Sequence, residues 1–207
     1  MGKTDLCIRL AHLFSAPIVN ADSRQVYREM KIGTARPDEA ELAQARFYFV
    51  GNLSITDYYS AARYEQDALR LLAELFRTSD YVILSGGSMM YVDAVVKGID
   101  DIPTVPDDIR AEMKQRLESE GLEALGDELK RLDPEYHAIV DLKNPRRVLH
   151  ALEICHSTGR TYTSFRVRAC KPRPFNIIKI GLNIPRPRLF ERIKGRVDKM
   201  IAEGLVD

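Results

Sequence analysis

Three short stretches carry side chains with chemistry to offer. Gly2-Lys3-Thr4 matches the end of the phosphate-cradling pattern G-x-x-x-x-G-K-[ST] and opens a run with apolar residues at helical spacing, Leu6, Ile8, Leu10, Leu13 and Phe14. N–H groups at the start of such a helix point at an anion, Lys3 adds positive charge, and Thr4 offers a hydroxyl to Mg²⁺. The second stretch, Asp22-Ser23-Arg24-Gln25-Val26-Tyr27, follows the apolar run Pro17-Ile18-Val19-Asn20-Ala21. The third, Gly86-Gly87-Ser88-Met89-Met90-Tyr91, follows Tyr81-Val82-Ile83-Leu84-Ser85. Both apolar runs read as buried strands. An acid, a hydroxyl, a cation and an amide at the end of a strand stand at the carboxyl edge of a sheet, where open α/β sheets bind ligands. Together these stretches imply a diphosphate at a helix N-terminus with a carboxylate beside it. Plainer roles exist for each: Asp22 also suits a strand-end turn or helix cap, and Ser88 suits the cap of a tight strand-to-helix turn.

The elements that must position these residues alternate as expected for α/β. Gly33 and Pro37 mark a loop, Asp38 suits the cap of a short helix over residues 39–45, and residues 46–50 read as a short strand. A long amphipathic helix is predicted over residues 59–77. Gly98 to Pro106, with two prolines and two aspartates, reads as a boundary. Beyond it the pattern is charged and helical: one helix from Asp107-Asp108 to about residue 118, a second over 121–132, and a short third opened by Asp133-Pro134. Asn144-Pro145 starts another helix that Gly159 ends. Residues 175–183 read as a strand returning to the sheet, and residues 187–203 as a basic amphipathic helix. The expected fold is therefore an α/β core over residues 1–105 with a P-loop-type parallel sheet flanked by helices. A small helical insertion follows over 106–142, and residues 143–207 return to the core.

The 207 residues suit one domain with a small insertion, and 45% hydrophobic content is enough for a core. The three cysteines, Cys7, Cys155 and Cys170, show no C-x-x-C spacing and read as thiols in a reducing compartment. The four histidines make no zinc pattern. With no signal peptide and no apolar run of about 18 residues, no membrane and a cytoplasmic location are expected. The net charge of +1 hides an asymmetry. From Lys143 to Asp207 fifteen Lys and Arg oppose five Asp and Glu, so this segment carries +10 and the remainder −9. Such a segment suits polyphosphate or nucleic acid, although solvated helix faces give the same count. Arg146 and Arg147 stand in a first helical turn, which the helix dipole disfavours unless an anion is bound there.

Taken together, Gly2-Lys3-Thr4, Asp22 to Tyr27, Met30 to Pro37 (MKIGTARP), Gly86 to Tyr91 (GGSMMY), Asn144 to Ile154 (NPRRVLHALEI) and Thr158-Gly159-Arg160-Thr161 resemble the tRNA dimethylallyltransferase (tRNA isopentenyltransferase) family in order and spacing over essentially the whole chain. The resemblance implies transfer of a dimethylallyl group from dimethylallyl diphosphate to N6 of the adenine 3′ of a tRNA anticodon, releasing diphosphate. It implies Asp22 as the carboxylate that takes the amine proton, with Ser88, where the family more usually has threonine, holding the amine or the phosphate. Gly2, Lys3 and Thr4 would hold the diphosphate, with Mg²⁺ on Thr4. The partner would be the anticodon stem-loop, contacted by Asp22, Ser23, Arg24, Gln25, Ser88 and Arg110 and by the stretch Arg146, Arg147, Val148, Leu149 and His150. A monomer is the simplest expectation.

Several positions depart from the family pattern. The first part of the phosphate loop and the strand before it are not in the chain, which reads as truncation or a misassigned start. Arginine is usual where His150 stands, and His-His-Leu-Ile-Asp where this chain has Phe47-Tyr48-Phe49-Val50-Gly51. The family also continues past residue 207 with more helix and another arginine-bearing motif near the diphosphate. Rival activities are prenyl transfer to a free adenine nucleotide, a P-loop nucleotide kinase, and a non-catalytic tRNA-binding relic. The helical insertion and the +10 segment favour a macromolecular substrate over the first.

Overall fold

Isoleucine and valine at consecutive positions build the centre of the core. In the computed structural model, which describes residues 2–167 and 170–206, the strand β1 (Ile18–Asn20) is buried along its whole length. Strand residues point alternately to opposite faces. Ile18 meets helix α1 (Lys3–Phe14) through Cys7, Ile8 and Ala11. Val19 meets the opposite layer, helices α3 (Ala61–Leu75) and α4 (Met89–Lys97), through Tyr64, Ala68, Leu72, Tyr91 and Val95. Each such aliphatic side chain, fully buried, contributes about 1.5–3 kcal/mol.

The sheet has the order β2–β1–β3, with β2 at Phe47–Tyr48 and β3 at Ile83–Ser85, and both pairings are parallel. The short helix α2 (Glu39–Leu42) is closed by a capping box between Asp38 and Glu41. Strand β2 ends two residues before the predicted limit because Phe49 turns to a φ of 59°. Residues 175–183 correct an expectation. They form no strand, and Ile178 and Ile180 are exposed. An apolar run becomes a strand only where a neighbour supplies the hydrogen-bond ladder, and among the described residues none pairs with this one.

The chain divides into two compact units, one of residues Met1–Ile99 with Cys170–Asp207 and one of Asp100–Ala169. Arg168 and Asp207, counted in the basic segment above, lie outside the described residues. The second unit is helical. Helix α5 (Asp107–Leu132) contains the two predicted helices joined at Gly121, whose φ of 83° breaks the helical geometry. Helices α6 (Pro134–His137) and α7 (Pro145–Thr158) and a 3₁₀ turn at Tyr162–Phe165 complete it. The predicted return to the core at residue 143 therefore moves to residue 170. The apolar stripe of α7 (Val148, Ala151, Leu152) packs instead on Met113, Leu125 and Leu129 of α5. The last helix, α8 (Arg186–Ala202), belongs to the first unit and buries only Met200. Among the described residues no helix is long and apolar enough to cross a membrane.

Candidate active site

Close packing of two strand ends builds the site. After β1 the carbonyl of Ala21 accepts the Ser88 N–H (3.1 Å), and the Ala21 N–H donates to the Ser85 carbonyl (2.8 Å). Gly86 lies so close to the Ala21 backbone that any Cβ would collide with it. This stitch sets the segment after β1 beside the turn after β3.

Asp22 stands at that junction with its two oxygens differently employed. Oδ1 accepts the N–H groups of Arg24 (3.0 Å) and Gln25 (3.3 Å), which is the turn chemistry its position allows. Oδ2 faces the turn after β3: it lies 2.8 Å from where a side chain on Gly87 would begin, and Lys3 Nζ lies 3.8 Å from the same point. Lys3 Nζ also donates to the Gly86 carbonyl (3.1 Å). One oxygen of Asp22 is thus spent on the turn, while the other borders the loop after β3.

Gly2 begins α1 with φ 73°, a left-handed conformation that suits glycine, and the first-turn amides of Lys3 and Thr4 follow it. Arg192 of α8 reaches this end: a Cβ on Gly2 would lie 2.9 Å from its Nη1. Lysine, first-turn amides and a guanidinium therefore converge at one helix N-terminus. Behind them, burial pushes the Cys7 thiol up, against the lowering effects of a Ser85 hydrogen bond and the Lys3 charge.

Ser88 is the N-cap residue of α4, yet its hydroxyl makes no capping bond. It lines a cavity of about 520 Å³ with Ser23, Arg24, Tyr27, Tyr59 and Tyr91 among its walls. Tyr91 is stacked on Tyr64 (centroids 4.1 Å apart), and burial, with the nearby Tyr27 and Asp22, pushes its hydroxyl up to about 12. Tyr64 donates its hydroxyl hydrogen to the Asn20 carbonyl (2.9 Å), tying α3 to the end of β1.

Gln25 has a framework task. Its amide nitrogen donates to the carbonyls of Thr34 and Ala35 (both 3.0 Å), binding the MKIGTARP loop to the strand end. Thr34 Oγ1 in turn donates to the Met30 carbonyl (2.6 Å). The joint occurrence of these two motifs thus has a structural cause.

The structure brings Gly2, Lys3, Thr4, Asp22, Ser23, Arg24, Gln25 and Ser88 into the first unit, around one sheet edge. The other expected contacts belong to the helical unit. There Arg146 and Arg147 are exposed in the first turn of α7, whose Asn144 cap accepts the Arg147 N–H (3.3 Å). His150 is exposed, 3.5 Å from Glu153, with its ring edge-on to Tyr162. Arg110 is half-buried, 3.6 Å from Asp107. Val148 is fully buried and Leu149 packs against the same core, so the side chain of Val148 serves the unit's interior rather than a partner.

The family model described as IPP transferase matches residues 25–207. The tRNA dimethylallyltransferase 1 of Bacteroides thetaiotaomicron is 58% identical over the entire chain, as is that of Phocaeicola vulgatus. The chain belongs to the IPP transferase family. It spans 67% and 69% of the length of those two relatives. The crystal structure of the full-length tRNA isopentenylpyrophosphate transferase from Bacillus halodurans matches with TM-score 0.62 and 34% identity, covering 100% of this chain and 64% of that one. A eukaryotic dimethylallyltransferase acting on tRNA shares the fold at 22% identity, with TM-score 0.71 over 98% of this chain and 50% of its own.

Two features of this family member escaped the sequence. Arg192 was one of fifteen bases in the basic segment, and its i, i+4 spacing with Arg188 and Arg196 was the signal available. The aromatic cluster of Tyr59, Tyr64 and Tyr91 behind the cavity gave no signal beyond helical spacing.

Proposed function

We propose that this chain transfers the dimethylallyl group of dimethylallyl diphosphate to N6 of the adenine 3′ of a tRNA anticodon, acting in the cytoplasm. The observation that carries this is the divided carboxylate of Asp22, one oxygen spent on the turn and the other turned towards Lys3 and Gly87.

An exocyclic amine is a weak nucleophile until a base takes its proton, and Asp22 Oδ2 is the group offered for that. As the C–O bond to the diphosphate breaks and the new C–N bond forms, negative charge gathers on the leaving oxygens. Lys3, the α1 first-turn amides and Arg192 are the groups that answer it. The Ser88 hydroxyl, free of capping duty, is offered to the amine or the phosphate. Mg²⁺ fits through Thr4, half-buried in the same first turn. Magnesium at phosphate sites takes most of its ligands from phosphate and water, so a single protein hydroxyl suffices, and the bound ion would neutralise leaving-group charge. The base must leave its stack to reach the half-buried Asp22 carboxylate, and the cavity walled by Ser23, Arg24 and Tyr27 would admit it. Arg110, Arg146, Arg147, His150 and the basic segment would serve the phosphate backbone.

The test is incubation of the chain with dimethylallyl diphosphate, Mg²⁺ and unmodified tRNA. The expected result is tRNA-dependent diphosphate release with prenylated adenine found by mass. Transfer to AMP in preference to tRNA, or turnover of ATP instead, would replace this function with one of its rivals.

A further inference from the structure

Both passages of the chain between the two units are tied to one carboxylate. The chain leaves the first unit through Lys97-Gly98-Ile99 and re-enters through Cys170-Lys171-Pro172-Arg173. Glu65 of α3, only 6% exposed, holds both. Its Oε2 accepts the Ile99 N–H (3.2 Å), and its Oε1 accepts Arg173 Nη2 (2.6 Å) with Lys171 Nζ at 4.0 Å. Arg173 also donates to the last carbonyls of α4, from Nε to Val95 (2.8 Å) and from Nη2 to Ala94 (2.8 Å). The two passages meet directly where the Lys171 N–H donates to the Lys97 carbonyl (2.7 Å). Gly98 has φ +84°, and a Cβ there would lie 2.7 Å from Lys171 Cδ, so the crossing admits little but glycine.

A buried ion pair is a poor way to gain stability, since an apolar pair of similar volume does as well or better. What it supplies here is a shared anchor, because one carboxylate accepts from both passages. We propose that Glu65 is a positioning residue: it pins the outgoing and returning passages to α3, so that the tRNA contacts carried by residues 100–169 start from a fixed origin. This rests on the function proposed above. Glu65 touches no reacting atom, and its effect falls on tRNA engagement rather than on the diphosphate.

The test is Glu65→Gln in the full chain, with three readouts: KM for unmodified tRNA, affinity for dimethylallyl diphosphate, and amide hydrogen exchange at Ile99 and Lys171 relative to β1. The expected pattern is about tenfold faster exchange at the two passages and a tRNA KM raised about tenfold, with donor affinity and β1 exchange unchanged. Donor affinity falling in step with tRNA KM would reduce Glu65 to a stability element and overturn the proposal; so would wild-type exchange at Ile99 and Lys171. Should Glu65→Gln fail to fold, Arg173→Lys keeps the charge but loses the fork that spans three acceptors, and the same pattern is expected at smaller size. A wild-type chain that transfers nothing would overturn the function, while the exchange data would still judge the pin.

Discussion

The two units solve opposite problems. The helical unit satisfies its own backbone almost wherever it stops a helix. Asn144 caps α7, Gly159 closes it in the left-handed conformation, and Asp133, 1% exposed, accepts from Tyr136 N, Thr163 N and Thr163 Oγ1. Its positive-φ positions among the described residues are both glycines, Gly121 and Gly159. The unit of the sheet instead holds Ser15, Ala35 and Phe49 in left-handed backbone, forces Gly86 against Ala21, and leaves the Ser88 hydroxyl unspent on its cap. A non-glycine residue there costs of order 1 kcal/mol. Of these features, the Gly86 contact and the uncapped Ser88 hydroxyl lie where chemistry is proposed.

That contrast can be broken in order of expected effect. Asp22→Asn should cut transfer by about 10²–10⁴-fold, measured in single turnover, while tRNA binding and thermal midpoint stay near wild type. Unchanged turnover would remove Asp22 from the chemistry. Gly86→Ala should be the most damaging neutral change in the first unit, at about 3 kcal/mol or more by denaturant titration, because backbone rather than a side-chain tip is in the way. Leu125→Ala, in the core of the helical unit, should cost about 2–5 kcal/mol and weaken tRNA binding with donor affinity intact. Equal loss of donor affinity would show that the units do not divide the work. Asn144→Ala should cost only about 1 kcal/mol, read from helical melting.

The smallest effect concerns acid. Burial raises the Glu128 carboxyl, but hydrogen bonds and charge from Arg116, aided by His156, outweigh it and hold the group below its ordinary value of 4.5. A carboxylate lowered on folding contributes stability above its unfolded value and loses it as pH falls through the folded one. The helical unit should therefore lose stability as pH drops below about 4.5, and Glu128→Gln should flatten that slope. An equally steep acid limb in the variant would assign the effect elsewhere.

Much of this was legible beforehand where a residue type has a single local job. Asp38 announces the cap of a short helix, Asn144-Pro145 and Gly159 bracket α7, and Ile18-Val19 can only be interior. Residues 175–183 misled because periodicity reports a face to bury, not the neighbour that must supply a ladder. The extent of the helical unit was misread for a related reason: the stripe of α7 fits any apolar surface, and only the fold selects α5. At the site, Lys3 and Asp22 were legible from their places at element ends. Arg192 was not, since its charge resembles fourteen others in the basic segment and only the path of α8 brings it to Gly2.

The tyrosine stack has a practical consequence. With nine tyrosines and no tryptophan in the chain, ultraviolet emission comes from phenols alone. Tyr59 and Tyr91 wall the cavity, and Tyr91 lies against Tyr64. Anything entering that cavity alters the emission of this trio, so occupancy can be followed optically without a label.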